Sequence, residues 1–357
     1  MLPDGVYTVD KLFTGQEWRS QCCIIVENCY IRSITDDVPP DQEITRHYQC
    51  LVPALIDLQI YGAYGKLLAE YPDIDSLHKL HKYCSDGKAD FFMPTVATNT
   101  LDVVHGCIDA VRAYWSSHGP GCLGLHLEGP WISIAKRGAH TIEHIQEYPS
   151  VQEVRSLLDY GQGIIKIITL APEICSNEVL ELIRSYGVVI SAGHSDATYD
   201  QATRCFDQGP VTTVTHLYNA MSLFTHRAPG LVGAVFNHPT IRASVIADGY
   251  HVDYAAISIA NKVMGPRLFL ITDAVTHTTT GNYPHILEGD RYVSNGILSG
   301  SALTMERAVR NIVANCRIPL EEGIRMGSMY PAQVVGLGRE LGRIEVGYRA
   351  AAVEWEM

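Results

Sequence analysis

The chain alternates strand-like and helix-like segments for most of its length, and this alternation restricts the fold more than any single motif does. Apolar runs rich in Val, Ile, Leu and Thr end near Gln59, Thr95, Glu128, Leu170, His194, His216, Asp248 and Asp273. Segments with helical periodicity fall between most of them, at 75–85, 101–117, 150–160, 177–186, 198–208 and 254–263. Eight strands with intervening helices fit a closed α/β barrel of the TIM type, (β/α)8, better than an open doubly wound sheet.

The stretch 187–221, GVVISAGHSDATYDQATRCFDQGPVTTVTHLYNAM, shows the unit most clearly. Two β-branched runs flank a helix that Thr198 can cap, that Ala202 and Phe206 give an apolar stripe, and that Gly209-Pro210 stops. A crossover helix makes the two strands parallel and puts both C-terminal ends on one edge, so His194 and His216 become neighbours. Two imidazoles placed this way are either metal-ligand candidates or loop residues that only hydrogen-bond.

The two ends of the chain have a different character. Residues 1–50 and 334–357 read as short strands separated by turns, so the last piece is expected to close the N-terminal sheet rather than extend the barrel (51–333). A hairpin-like insertion is expected at 276–298 and a helix at 303–315. With 18% charged residues and a formal net charge of −12, the chain lacks the clustered Lys and Arg that a nucleic acid or an anionic membrane requires. No basic segment followed by an apolar one opens the sequence, and no apolar run is long enough to span a bilayer, so the chain reads as soluble and cytoplasmic. Its ten cysteines form no C-x-x-C pair and read as reduced thiols.

Active sites of such barrels lie at the C-terminal ends of the strands. Glu128, in GLHLEGP, adds a carboxylate to the two histidines, and one Glu with two His makes a three-ligand set that leaves a position open for water. The plainer alternative for Glu128 is a salt bridge at the barrel mouth. Asp273, in RLFLITDAV, ends the eighth strand on the same face, where a carboxylate can take a proton from an activated water and pass it to a leaving group. His251 and the pair Asn219-Ala220 lie just past strand ends, where loops bind substrate. Arg227, in the long loop FTHRAPG, is the better-placed candidate for an anion clamp, whereas Lys136 and Arg137 read as a solvated pair.

Taken together, PALIDLQIYG, HLEGPW with KRGAH, SAGHSDATYDQA, THLYNAMS, HRAPGLVGAV, ADGYHVD, LITDA and LSGSALTMERAVRN resemble the N-acetylglucosamine-6-phosphate deacetylases of the amidohydrolase superfamily over nearly the whole chain. The resemblance implies removal of acetate from an amino-sugar 6-phosphate, with metal ligands at Glu128, His194 and His216. It implies a catalytic acid-base at Asp273, with His140 helping to stabilise the oxyanion. It also implies substrate contacts at Gln59, His140, Asn219, Ala220, Arg227, His251 and Leu303. A small β-sandwich domain formed from both chain ends (1–50 and 334–357) around the catalytic barrel is implied as well, and so is a homodimer in which Arg227 reaches the neighbouring subunit's phosphate. Where relatives carry H-x-H or Q-x-N on strand one, this chain has Gln59 and Tyr61, both poor ligands, so one divalent ion is expected: zinc first, then Fe2+, Co2+ or Mn2+. The galacto epimer as substrate, a non-catalytic assembly role, and a cyclic-amide hydrolase using a carboxylated Lys166 remain the alternatives.

Overall fold

The computed structural model describes residues 1–294 and 296–356. Eight parallel strands form one sheet: Leu55–Ile60, Ala89–Ala97, Leu125–Glu128, Ile165–Leu170, Val189–Ala192, Val211–Val214, Arg242–Ile246 and Leu268–Ile271. Each hydrogen-bonds to its neighbours in sequence order. A parallel bridge between Ile60 and Ala274 joins the first strand to the chain just past the eighth and closes the barrel. Two backbone bonds hold that seam, Asp273 N to Gln59 O at 3.0 Å and Tyr61 N to Ala274 O at 2.9 Å, so closure sets Gln59 beside Asp273.

The crossover helices begin where the local chemistry directs. In Tyr199–Asp207, Thr198 and Gln201 form a reciprocal capping box, and Ala202 and Phe206 are the buried stripe. Ser150 and Glu153 do the same for Val151–Tyr160, each such cap being worth about 1 kcal/mol. One crossover helix, Gly230–Asn237, escaped the sequence reading because GLVGAVFN is apolar on every face and shows no amphipathic stripe. Two further helices, Leu320–Gly327 and Met329–Val334, follow Met305–Cys316 and pack against the first and eighth barrel strands.

At the chain ends, Gly5–Phe13, Trp18–Glu27, Tyr30–Thr35, Arg46–Pro53 and Ala352–Glu354 form a five-stranded sheet with its own apolar cluster around Leu12, Ile24 and Leu51. Ala352–Glu354 runs antiparallel to Arg46–Pro53, pairing Ala352 with Pro53 and Glu354 with Leu51. The insertion after the eighth strand is a three-stranded antiparallel sheet, Ile286–Glu288, Arg291–Ser294 and Ile297–Ser301. Among the described residues no helix is long and apolar enough to cross a membrane.

Candidate active site

His194, His216 and Asp273 each stand two residues past the end of a barrel strand, after Ala192, Val214 and Ile271. All three have positive φ, +46°, +36° and +55°, an uncommon backbone state for a non-glycine residue. It costs on the order of 1–3 kcal/mol per residue and collects at functional sites. The turn it makes brings each side chain back over the barrel mouth. Glu128 is the last residue of its strand, and Gly129, with φ +84°, turns the chain away.

The four side chains meet at a cavity of about 180 Å³. Glu128 Oε1 lies 3.0 Å from His216 Nε2 and 3.3 Å from His194 Nε2, and the two Nε2 atoms are 3.2 Å apart. Donor atoms about 2.0–2.2 Å from one tetrahedral ion sit roughly 3.3–3.6 Å from each other, so the three need to open only slightly to hold a divalent cation. His194 Nδ1 lies 2.9 Å from the Lys136 carbonyl oxygen, which requires an Nδ1–H and leaves the Nε2 lone pair for a ligand. These three buried ligand atoms, all within 4.8 Å of one another, form a group that could hold a metal ion.

Charge in the site is set by burial and by this cluster. Burial opposes ionisation of Glu128, but His194, His140 and His216 outweigh it and hold its carboxyl well below the usual range. Asp273 is raised, by burial first and then by the Glu128 charge. His140 is pushed down to about 4 by burial and by its neighbour His194, so its ring is neutral near neutral pH. Its Nε2 is 3.2 Å from Glu128 Oε2 and its Nδ1 is 2.8 Å from Thr98 Oγ1. Beneath the cavity, a chain of hydrogen bonds runs from Leu58 O through His126 to Thr169, Thr215 and Ser191 inside the barrel. His126 is pushed down to about 4, chiefly by burial.

Asn219, Ala220 and His251 line the cavity with His140 and the four residues above. Asp248 Oδ2 takes His251 Nδ1 at 2.6 Å, which leaves Nε2 as the ring atom available to a ligand. Gln59 lies behind the wall, fully buried, its Nε2 donating to Asp273 Oδ1 at 2.7 Å and to Glu128 Oε1 at 3.1 Å. Gln59 is therefore not in the cavity wall, and two further expected contacts, Leu303 and Arg227, are not in it either. Leu303 is packed in the main core, its N–H donating to Ser301 Oγ at 3.0 Å. Arg227 is exposed in the loop 223–228 and does not reach the cavity of its own chain.

Three cavity residues carried no functional weight in the sequence reading. Tyr61 was noted only as a departure from the pattern of relatives, yet its hydroxyl donates to Glu128 Oε2. Burial and then the charges of Glu128 and Asp273 raise that hydroxyl well above its ordinary range, so it stays protonated. Tyr283 and His285 come from the insertion, whose strands lack the long period that flags a site, and they cover one side of the cavity. His285, pushed down to about 4 by burial, bonds to Ser299 Oγ at 2.8 Å. Lys166 is the second residue of its strand and is not in the cavity wall, so the carboxylated-lysine alternative finds no support.

Residues 51–357 match the amidohydrolase family, and the chain belongs to it. It is similar to the N-acetylglucosamine-6-phosphate deacetylase of Haemophilus influenzae, with 32% identity over 83% of this chain and 80% of that protein. It is also similar to the N-acetylgalactosamine-6-phosphate deacetylase of Escherichia coli O157:H7, 31% identical over 96% of this chain and 93% of that one. The crystal structure of N-acetylglucosamine-6-phosphate deacetylase from Pasteurella multocida superimposes with a TM-score of 0.89 at 31% identity, covering 97% of this chain and 94% of the other.

Proposed function

We propose that this chain hydrolyses the acetamido group of N-acetylglucosamine 6-phosphate to glucosamine 6-phosphate and acetate, in amino-sugar catabolism or recycling. The observation that carries the reading is the convergence of Glu128, His194 and His216 beside Asp273 in one cavity, in a chain whose relatives bear that activity in their names.

Glu128, His194 and His216 would hold one divalent cation, zinc in the first place, which when bound polarises the amide carbonyl and acidifies a water. Asp273 takes the proton that the water gives up as its oxygen bonds to the carbonyl carbon. It then delivers that proton to the sugar nitrogen as the C–N bond breaks, so the amine and acetic acid leave, and the acid passes its proton to the amine to give acetate and the ammonium form. A raised pKa suits this double duty, because the group must both accept and give a proton. His140, a neutral donor, turns its Nε2–H from Glu128 toward the carbonyl oxygen as negative charge collects there.

The sugar phosphate is met by His251 and by backbone N–H groups near Asn219 and Ala220, which line the cavity. Arg227 completes the cradle from a second copy of the chain in a homodimer. The exposed Leu223 (76%) and Phe224 (57%) beside it offer an apolar patch for that contact. Residues 51–333 are the catalytic barrel in this reading, 1–50 and 334–357 are the accessory unit, and the enzyme works in the cytoplasm. The test is acetate release from N-acetylglucosamine 6-phosphate beside its unphosphorylated and galacto counterparts, on protein loaded with zinc. Fastest turnover of the phosphorylated gluco substrate is expected; no turnover of any of the three overturns the proposal.

A further inference from the structure

The two oxygens of Glu128 have different surroundings. Oε1 faces His216 Nε2 at 3.0 Å and His194 Nε2 at 3.3 Å, and accepts from Gln59 at 3.1 Å. Oε2 is turned the other way, accepting from the Tyr61 hydroxyl and lying 3.2 Å from His140 Nε2. Tyr61 has little freedom to leave. Gln59 Nε2 is 2.8 Å from its hydroxyl, its own N–H donates to Ala274 O at 2.9 Å, and its carbonyl accepts from Leu68 N at 3.0 Å. Its ring packs beside Leu67, Val275 and Tyr292, a small cluster that the insertion completes.

A carboxylate can bind one cation through one oxygen, chelate it through both, or bridge two cations with one oxygen each. The last two modes need Oε2 to be free. We infer that Tyr61 is a positioning residue that withholds Oε2 from metal binding: it makes Glu128 a one-oxygen ligand and closes the bridging place a second ion would use. The inference rests on the metal-dependent reading above. It gives a reason for a tyrosine at this position that its poverty as a ligand does not, since a residue chosen only for not binding metal need not donate to a ligand's spare oxygen. Hydrogen bonds to a ligand's other atoms tune both its orientation and the affinity of the site.

The experiment compares wild type with Tyr61→Phe, which removes the hydroxyl and little else. Both proteins are stripped of metal and titrated with Zn2+ and with Co2+, whose visible absorption weakens when its coordination number rises above four. The dissociation constant is read by competition with a chromophoric chelator. Wild type is expected to take one ion per chain. Tyr61→Phe is expected to bind about 10- to 100-fold more weakly and to show a weaker Co2+ band, while thermal unfolding of the metal-free protein is unchanged. An identical Co2+ spectrum and dissociation constant in the variant overturns the role of Tyr61, and two ions per wild-type chain overturns the exclusion of a second ion. If wild type takes up neither Zn2+ nor Co2+, the metal-dependent reading itself has failed, a result distinct from both.

Discussion

The Gln59 carboxamide donates to Asp273 Oδ1 at 2.7 Å across the seam where the barrel closes. The same nitrogen lies 3.1 Å from Glu128 Oε1, so one neutral side chain ties the proposed proton carrier to a proposed metal ligand. A donor to the ionised carboxylate lowers its pKa, which opposes the rise that burial and Glu128 impose on Asp273.

Gln59→Leu removes that donor. Asp273 is then harder to ionise, so the acid limb of the kcat/KM profile is expected to move to higher pH, with turnover at neutral pH falling about tenfold, or ~1.4 kcal/mol on the barrier. A pH profile superimposable on wild type would show that the bond does not tune Asp273.

Asp273→Asn is expected to keep the metal and lose about 10² to 10⁴ in turnover, the usual contribution of general acid-base catalysis. Asparagine suits the test because Asp273 has φ +55°, a conformation that Asn tolerates better than most residues. Circular dichroism and metal content should therefore match wild type, and retention of more than about a tenth of the turnover would assign the proton to another group.

His194→Ala and His216→Ala should each lose metal and activity together, as read by elemental analysis beside acetate release, because each removes a ligand from a set of three. Either variant retaining a full equivalent of tightly held zinc would dissolve the assigned set.

Acid stability provides a separate check on the barrel interior. His126 is buried at about 4 against about 6.5 in the unfolded chain. The unfolded state therefore binds the extra proton between those values, and stability falls as pH drops from about 6.5 to about 4, by up to about 3 kcal/mol. The urea midpoint of wild type should fall across that window, and His126→Gln should flatten part of the slope. His140 and His285, both also near 4, leave a remainder, and an unaltered slope would count against burial of a neutral His126.

Arg227→Ala should weaken the phosphorylated substrate by up to a few kcal/mol and leave the unphosphorylated sugar almost untouched. Because Arg227 is remote from its own cavity, mixing Arg227→Ala subunits with Asp273→Asn subunits should recover activity. A hybrid dimer then contains one site with both groups intact. Verified heterodimers without recovery would exclude the donation.

The parts of the sequence that could be read were those in which local pattern and tertiary role coincide. Thr198, Ala202 and Phe206 define their helix by capping and stripe, and burial in the barrel asks the same of them. His194, His216 and Asp273 were legible because polar residues after apolar strands need a reason. The helix Gly230–Asn237 was hidden by its uniform apolarity. Leu303 fits a motif string, but a motif does not say which way a side chain points, and here it points into the core. Tyr283 and His285 reach the cavity only through the folding of the insertion over the mouth, a long-range event with no local periodicity to announce it.

The pairing of Ala352–Glu354 with Arg46–Pro53 bears on how the chain is made. A strand that leaves the ribosome early waits for its partner until some three hundred further residues have been synthesised, and contacts of such long separation form slowly. During that delay the Arg46–Pro53 edge is open, and an open edge can pair with a strand from another molecule. All eight barrel strands lie between the two in sequence. Until Ala352–Glu354 arrives, that edge is the place where a neighbouring copy could pair in its stead.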